Sequence, residues 1–323
     1  MDIFIWIGFL ALVFFLLFLD LGVFHKDSEV ISTKEALKWT MIWIASALVF
    51  NVLIYFMYEH NWLNIATHFG EYDDGGTAAL KFFTGYLIEK SLSLDNIFVI
   101  AVIFGYFKIE QKYQHRILFW GILGALVLRG VMILVGVALI REFAWVTYFF
   151  GALLIYSAIK MLRHDDGHVE PDKNPIIKFV KKFYRVSTDY SHGNFFTVID
   201  GKRAITTLFI VLLVVETTDV MFAVDSIPAI FAITTDPFIV FTSNVFAILG
   251  LRSLYFVLAA FMDKFRYIKL SLVIILAFVG VKMLLLHYYK IPALLSLSII
   301  LLVLTGGVLA SIYIKEDNTK AEA

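Results

Sequence analysis

Nine stretches of about 20 mostly apolar residues, the length that spans a hydrocarbon core, leave this chain little choice of architecture. They fall roughly at 3–24, 39–58, 82–104, 117–140, 145–162, 204–233, 238–262, 270–287 and 291–314. Backbone at membrane depth must satisfy its own polar groups, so apolar runs of this length imply helices. The spacing predicts an all-α, polytopic membrane protein with about nine transmembrane helices. Composition points the same way, with 60% of the 323 residues apolar and 17% charged. Soluble domains hold about 45–50% and about 25% respectively, so much of this surface must face lipid. The first segment has neither a basic n-region nor a small-residue cleavage site, and reads as a retained helix.

Basic residues in the connections set the expected orientation. Connections 25–38, 105–116, 163–203, 263–269 and 315–323 together hold nineteen Lys and Arg, whereas the alternate connections hold only Lys81, Arg141 and Lys290. The first set is therefore expected in the cytoplasm, with the N-terminus outside and the C-terminus inside. The whole chain, 1–323, reads as a single transmembrane domain. It opens with an N-terminal helix pair (1–81) and closes with a last helix and cytoplasmic tail (288–323). The 163–203 connection is too small and too polar for a second domain.

Between those ends the chain repeats itself. SLSLDNIFVIAVI around Asp95 matches MFAVDSIPAIFAI around Asp225, and an acid stands six residues before each, Glu89 and Asp219. On the next helix GILGALVLRG and NVFAILGLRS align Arg129 with Arg252, and the third helices end IKML and VKML. The copies, 82–162 and 204–287, have three helices each and so run in opposite directions through the bilayer. Such an inverted three-helix repeat is a common build for secondary transporters, with binding sites near the midplane where the copies meet.

Ionisable groups at that depth cost about 2.5–3.5 kcal/mol each even by modest estimates. Glu89, Asp95, Glu216, Asp219 and Asp225 would oppose insertion unless they meet one another, a cation or water. Arg129 and Arg252 are the natural counter-charges, while Lys160 and Lys282 lie near enough to helix ends to snorkel. Five carboxylates against two deep arginines leave a deficit that protons, Lys90 or a bound cation must fill. Residues six apart on a helix differ by about 240°, so Glu89 and Asp95 cannot grip one ion from one straight helix. Either the site lies between the copies or the helices are interrupted. Pro228 frees the carbonyl of residue 224, as an ion ligand or as an ordinary kink.

Carboxylates and amides such as Asn96 and Asn244, with Ser226 beside Asp225, are oxygen donors suited to magnesium, calcium or manganese. All eight histidines fall in connections or at helix ends, which argues against zinc or copper in the core. The HDDGHVEPD stretch at 164–172 reads either as a cytoplasmic metal site or as a solvated loop. The chain has no cysteine, which removes thiol chemistry. It carries no nucleotide-binding glycine loop and no hydrolase or haem motif, so no enzymatic activity and no permanently bound cofactor are expected. A net charge of zero argues against a nucleic-acid partner. The expected partners are the lipid bilayer, a metal cation and protons.

GYLIEKSLSLDNIFVI at 85–100, VVETTDVMFAVDSIPAIFAITTDPF at 214–238 and TSNVFAILGLRSLYF at 242–256 resemble the TerC family of bacterial membrane proteins. The N-terminal helix pair, the central connection and the ninth helix look most like its Alx type. The resemblance implies an inner-membrane exporter of manganese with a role in metal or alkaline stress, in a family named for tellurium resistance. It carries the motif acids onto Glu89, Asp95, Glu216, Asp219 and Asp225, with Asn96, Arg129, Ser226, Asn244 and Arg252 in support. On that reading Asp95→Asn and Asp225→Asn should each abolish export, and Asp95 and Asp225 should lie near a shared axis. Two other classes stand beside it. One is a non-transporting membrane scaffold or stress factor acting through 163–203; the other is a membrane redox enzyme, which the missing cysteines disfavour.

Overall fold

The computed structural model describes residues 3–19, 33–67, 73–163, 182, 185–187, 193–199, 201–259, 267–286, 288–289 and 291–313. The helices are α1 (Ile3–Phe18), α2 (Thr33–Glu59), α3 (Gly75–Tyr106), α4 (Gln111–Glu142) and α5 (Trp145–Arg163). After a short sheet they continue as α6 (Thr207–Phe231), α7 (Pro237–Leu249), α8 (Leu251–Ala259), α9 (Ile268–Leu285) and α10 (Ala293–Tyr313). The chain is an all-α polytopic membrane protein. Among the described residues six helices, α2, α4, α5, α6, α9 and most of α10, are long and apolar enough to cross a bilayer. The α7–α8 pair adds a seventh if it forms one span. The remaining expected spans are α1, which has 16 residues, and α3, which has 32 residues but carries Lys81, Glu89, Lys90 and Asp95.

Large apolar side chains such as Val131, Leu134, Val135 and Leu302 face outward, while Glu89, Arg129, Asn244 and Arg252 are buried. That inversion of the soluble pattern follows from a solvent of hydrocarbon. α3 packs against α7 and α4 against α6, while α5 lies along α9. The α5–α9 contact is close because both helices present glycine. A Cβ on Gly280 would stand 2.9 Å from the Gly151 carbonyl, and one on Gly151 would stand 3.1 Å from the Gly280 carbonyl. Small residues let backbones approach where no hydrophobic force drives helices together. Aromatic rings fasten the N-terminal pair to this body: Phe9 lies 5.8 Å from Phe238, and Phe50 4.6 Å from Phe246, centroid to centroid.

Two helix starts are written in local sequence. Asp74 caps α3 by accepting from the Thr77 amide at 2.6 Å, and hydrogen bonds from Thr77 hold its carboxyl below the usual carboxylate range. Asp236 caps α7, accepting from Phe238 N at 2.8 Å and Ile239 N at 3.3 Å, with Pro237 at the first position. Its other oxygen accepts the Tyr58 hydroxyl at 2.6 Å, which ties α2 to the start of α7. Burial pushes the Asp236 carboxyl up, and those three hydrogen bonds oppose the shift.

Three expectations change. The interruption falls at Gly250, where α7 and α8 meet at 43°, while α6 runs through Pro228 to Phe231. Residues 204–206 belong to a strand and not to a span. β1 (Arg185–Ser187), β2 (Phe196–Ile199) and β3 (Lys202–Thr206) form a three-stranded sheet ordered β1-β3-β2. Ile199 pairs with Lys202, and Gly201, at φ +73°, turns the chain between them; Asp-Gly between β-branched runs is a hairpin signal. Lys282 does not snorkel. It is buried and donates to Ser296 Oγ at 2.9 Å. The HDDGHVEPD stretch lies outside the described residues.

Candidate functional site

Arg129, 1% exposed in the middle of α4, gathers polar groups from three other helices. Its Nε and Nη2 donate as a fork to Asp219 of α6, at 3.1 and 2.7 Å. Nη1 donates to Glu89 Oε1 of α3, to Asn244 Oδ1 of α7 at 3.2 Å and to Ser226 Oγ of α6 at 3.4 Å. Asn244 closes the ring by donating its amide to Glu89 Oε2 at 3.1 Å. Helix geometry explains why α6 contributes twice, since Asp219 and Ser226 are seven residues apart and share a face. Guanidinium is suited to this seat because its planar fork matches a carboxylate and it stays charged when buried. Two carboxylates facing one guanidinium leave the cluster one negative charge in excess when all three are ionised.

The other acids stand elsewhere. Asp225 accepts the Ser157 hydroxyl of α5 at 2.6 Å. Asp95 is half-buried, and its six-residue offset turns it about 240° from Glu89. Glu216 is half-buried, and its Oε2 has no hydrogen-bond partner among the described residues. Its carboxylate sits against Gly124 of α4, where a Cβ would collide with it. Beside it Trp120, Leu123, Val127 and Leu212 line an apolar groove of about 440 Å³. Among the described residues no group of three or more Asp, Glu or His side chains converges as a metal-ligand set. Of the five expected acids, Arg129 thus holds Glu89 and Asp219, Glu216 stands one helix turn before Asp219, and Asp225 is bonded to Ser157.

Arg252, the counterpart of Arg129, is also buried and meets His115 Nε2 at 2.7 Å, near the start of α4. Lys90 donates to the Ala247 carbonyl at 3.1 Å, close to the C-terminal end of α7, where a cation complements the helix dipole. Sequence reasoning missed Ser157, His115, Gly124 and Ser93. A hydroxyl in an apolar helix was the available signal for Ser157 and Ser93. Nothing in the sequence singled out Gly124 among the chain's 19 glycines.

The acids, the arginine and the broken helix all fall within residues 74–319, which match the model of the "Integral membrane protein TerC family". The chain belongs to the TerC family. A Myxococcus xanthus protein, "Uncharacterized membrane protein STKORF319", is 45% identical over 308 residues, covering 95% of this chain and 92% of that one. A Rickettsia bellii membrane protein is 42% identical over 307 residues, 95% and 96% of the two chains. The Escherichia coli K12 protein described as "Putative membrane-bound redox modulator Alx" is 41% identical over 320 residues, 98% and 97%. No solved structure matches the chain.

Proposed function

We propose that this TerC-family protein is a secondary transporter that exports a divalent cation, manganese foremost, through the centre built on Glu89 and Asp219. The observation that carries the reading is one buried guanidinium holding two carboxylates from two different helices. If the repeat reading holds, those helices are the first of each copy. Buried acids at membrane depth mark ion pathways more often than packing devices. The donors around the centre are oxygen atoms, which favour manganese, magnesium or calcium over softer ions.

The packing of α3 on α7, α4 on α6 and α5 on α9 is the pattern that a two-fold relation between the copies would produce. In that frame the centre lies where the copies meet, and rocking one against the other would open it to alternate sides. The chain would sit in a bacterial inner membrane, with the N-terminus outside and the C-terminus in the cytoplasm. A cation entering from the cytoplasm would exchange for protons or move with the membrane potential, since clustered carboxylates in low dielectric cannot all stay ionised.

The redox description belongs to the Escherichia coli relative, and this chain has no thiol with which to do such chemistry. The scaffold alternative gains one observation, a small sheet with Phe196 and Val198 exposed. Reconstitution separates the readings. Purified protein in sealed vesicles should take up manganese saturably when a proton gradient or potential is imposed, above protein-free vesicles. Uptake no greater than in protein-free vesicles, under either gradient, would rule out the transporter.

A further inference from the structure

Glu89, Ser93 and Asn96 lie on one stripe of α3. Offsets of four and seven residues keep them within about 60° of one another around the helix, rising about 6 and about 10 Å from Glu89. All three are buried, at 0%, 0% and 4% exposure. Two of them have an oxygen with nothing to bond: Ser93 Oγ and Asn96 Oδ1 have no hydrogen-bond partner among the described residues. The same helix shows how an idle hydroxyl is ordinarily accommodated. Thr84 donates to the Leu80 carbonyl at 2.7 Å and Ser91 to the Leu87 carbonyl at 2.6 Å, each one turn back. Ser93 makes no such bond. Buried oxygens are seldom left unpaired without a ligand or water to complete them.

We propose that the transported cation is carried along this stripe, bound by Glu89 with Ser93 at one end and by Ser93 with Asn96 at the other, and that Arg129 occupies the Glu89 end when the site is empty. The inference rests on the transport reading and goes further, to a ligand set and a competitor. A carboxylate, a hydroxyl and an amide carbonyl are hard oxygen donors, the class that replaces the hydration shell of manganese, magnesium or calcium. Both Glu89 oxygens are engaged in the structure described, one by Arg129 and one by the Asn244 amide. A cation must therefore displace the guanidinium from Glu89. Arg129 need not lose its charge partner, because its fork to Asp219 uses Nε and Nη2 and leaves Nη1 free to move.

The second copy lacks an equivalent stripe. Asp219, Ala223 and Ser226 stand at the matching offsets on α6. Ala223 has no oxygen to give, and Ser226 already accepts from Arg129. One cation site per chain follows, despite the repeat.

The test is a manganese chloride titration of the purified full-length protein, followed by the shift of its thermal unfolding midpoint. The wild type should show a saturable upward shift. Ser93→Ala and Asn96→Leu should each weaken the apparent affinity at least tenfold, with Asn96→Ala carrying the same expectation if the leucine variant does not fold. Asn51→Leu is the control, since its Oδ1 is likewise unpartnered but lies on α2; its affinity should equal the wild type's. The double variant Arg129→Gln with Asp219→Asn removes one positive and one negative charge and frees Glu89. It should bind manganese at least tenfold more tightly. Wild-type affinity in both Ser93→Ala and Asn96→Leu, or no gain in the double variant, would overturn the site. A wild type that transports manganese with the stripe variants unimpaired would overturn this inference alone. A wild type that transports none would overturn the function.

Discussion

Arg129 and Arg252 align in the sequence repeat, yet the contacts described for them differ. Arg129 is held by two carboxylates, a serine and an asparagine. Arg252 meets an imidazole at the start of α4. Part of the difference lies about two helix turns before each arginine: Asn244, which bridges Arg129 and Glu89, aligns with Gly121, which has no side chain to offer. Positions that align in sequence need not gather the same groups, because divergence at a few neighbouring positions changes what each side chain can reach.

The largest expected effect falls on the arginines. Arg129→Gln leaves the buried Glu89 and the partly buried Asp219 without their counter-charge and should lower stability by about 3–5 kcal/mol. Arg252→Gln removes a buried cation too, and thermal unfolding in one detergent reads both variants; a midpoint for Arg129→Gln equal to the wild type's would break the estimate.

On the third helices Gly151→Val and Gly280→Val each push a side chain onto the other's backbone and should cost about 1–3 kcal/mol apiece. Unfolding midpoints equal to the wild type's would show that the close approach of α5 and α9 does not depend on these glycines. Ser157→Val replaces the hydroxyl on Asp225 with the residue that the other copy carries at 279. Losing a hydrogen bond to a charged group should cost about 1.5–3 kcal/mol, again read by unfolding.

The smallest effect concerns the cap of α3. Hydrogen bonds from Thr77 depress the Asp74 pKa, so the stability they lend is present above the ordinary carboxylate range. It is lost as pH falls through the depressed value, when the carboxyl is protonated. Amide exchange near Thr77, corrected for intrinsic rate, should quicken at low pH in the wild type and at all pH in Asp74→Ala. The amides around Arg129 should not respond.

The helices were legible because lipid demands long apolar runs, and the acids because charge at that depth is conspicuous. Glu89, Asp219 and Arg129 were named from the sequence, and the structure brings them together with Ser226 and Asn244. The distribution of the other acids was not legible. Which face of a helix meets which neighbour depends on packing, so Asp225 on Ser157 and Glu216 against Gly124 could not be read from spacing. The break at Gly250 was missed because Pro228 looked the stronger breaker, yet α6 absorbs its proline and continues. The sheet at 185–206 was missed because an apolar count does not distinguish a strand leading into a helix from the helix itself. The Asp-Gly pair before Lys202 was visible.

The most direct test of the Arg129-held centre is manganese efflux from loaded cells that carry wild type, Glu89→Gln or Arg252→Gln at equal membrane abundance. Glu89→Gln nearly conserves volume while removing the charge that a cation and Arg129 would share. Efflux should fall to the background of cells lacking the protein in Glu89→Gln and persist in Arg252→Gln. Wild-type efflux from Glu89→Gln would contradict the account and assign the carboxylate to packing alone.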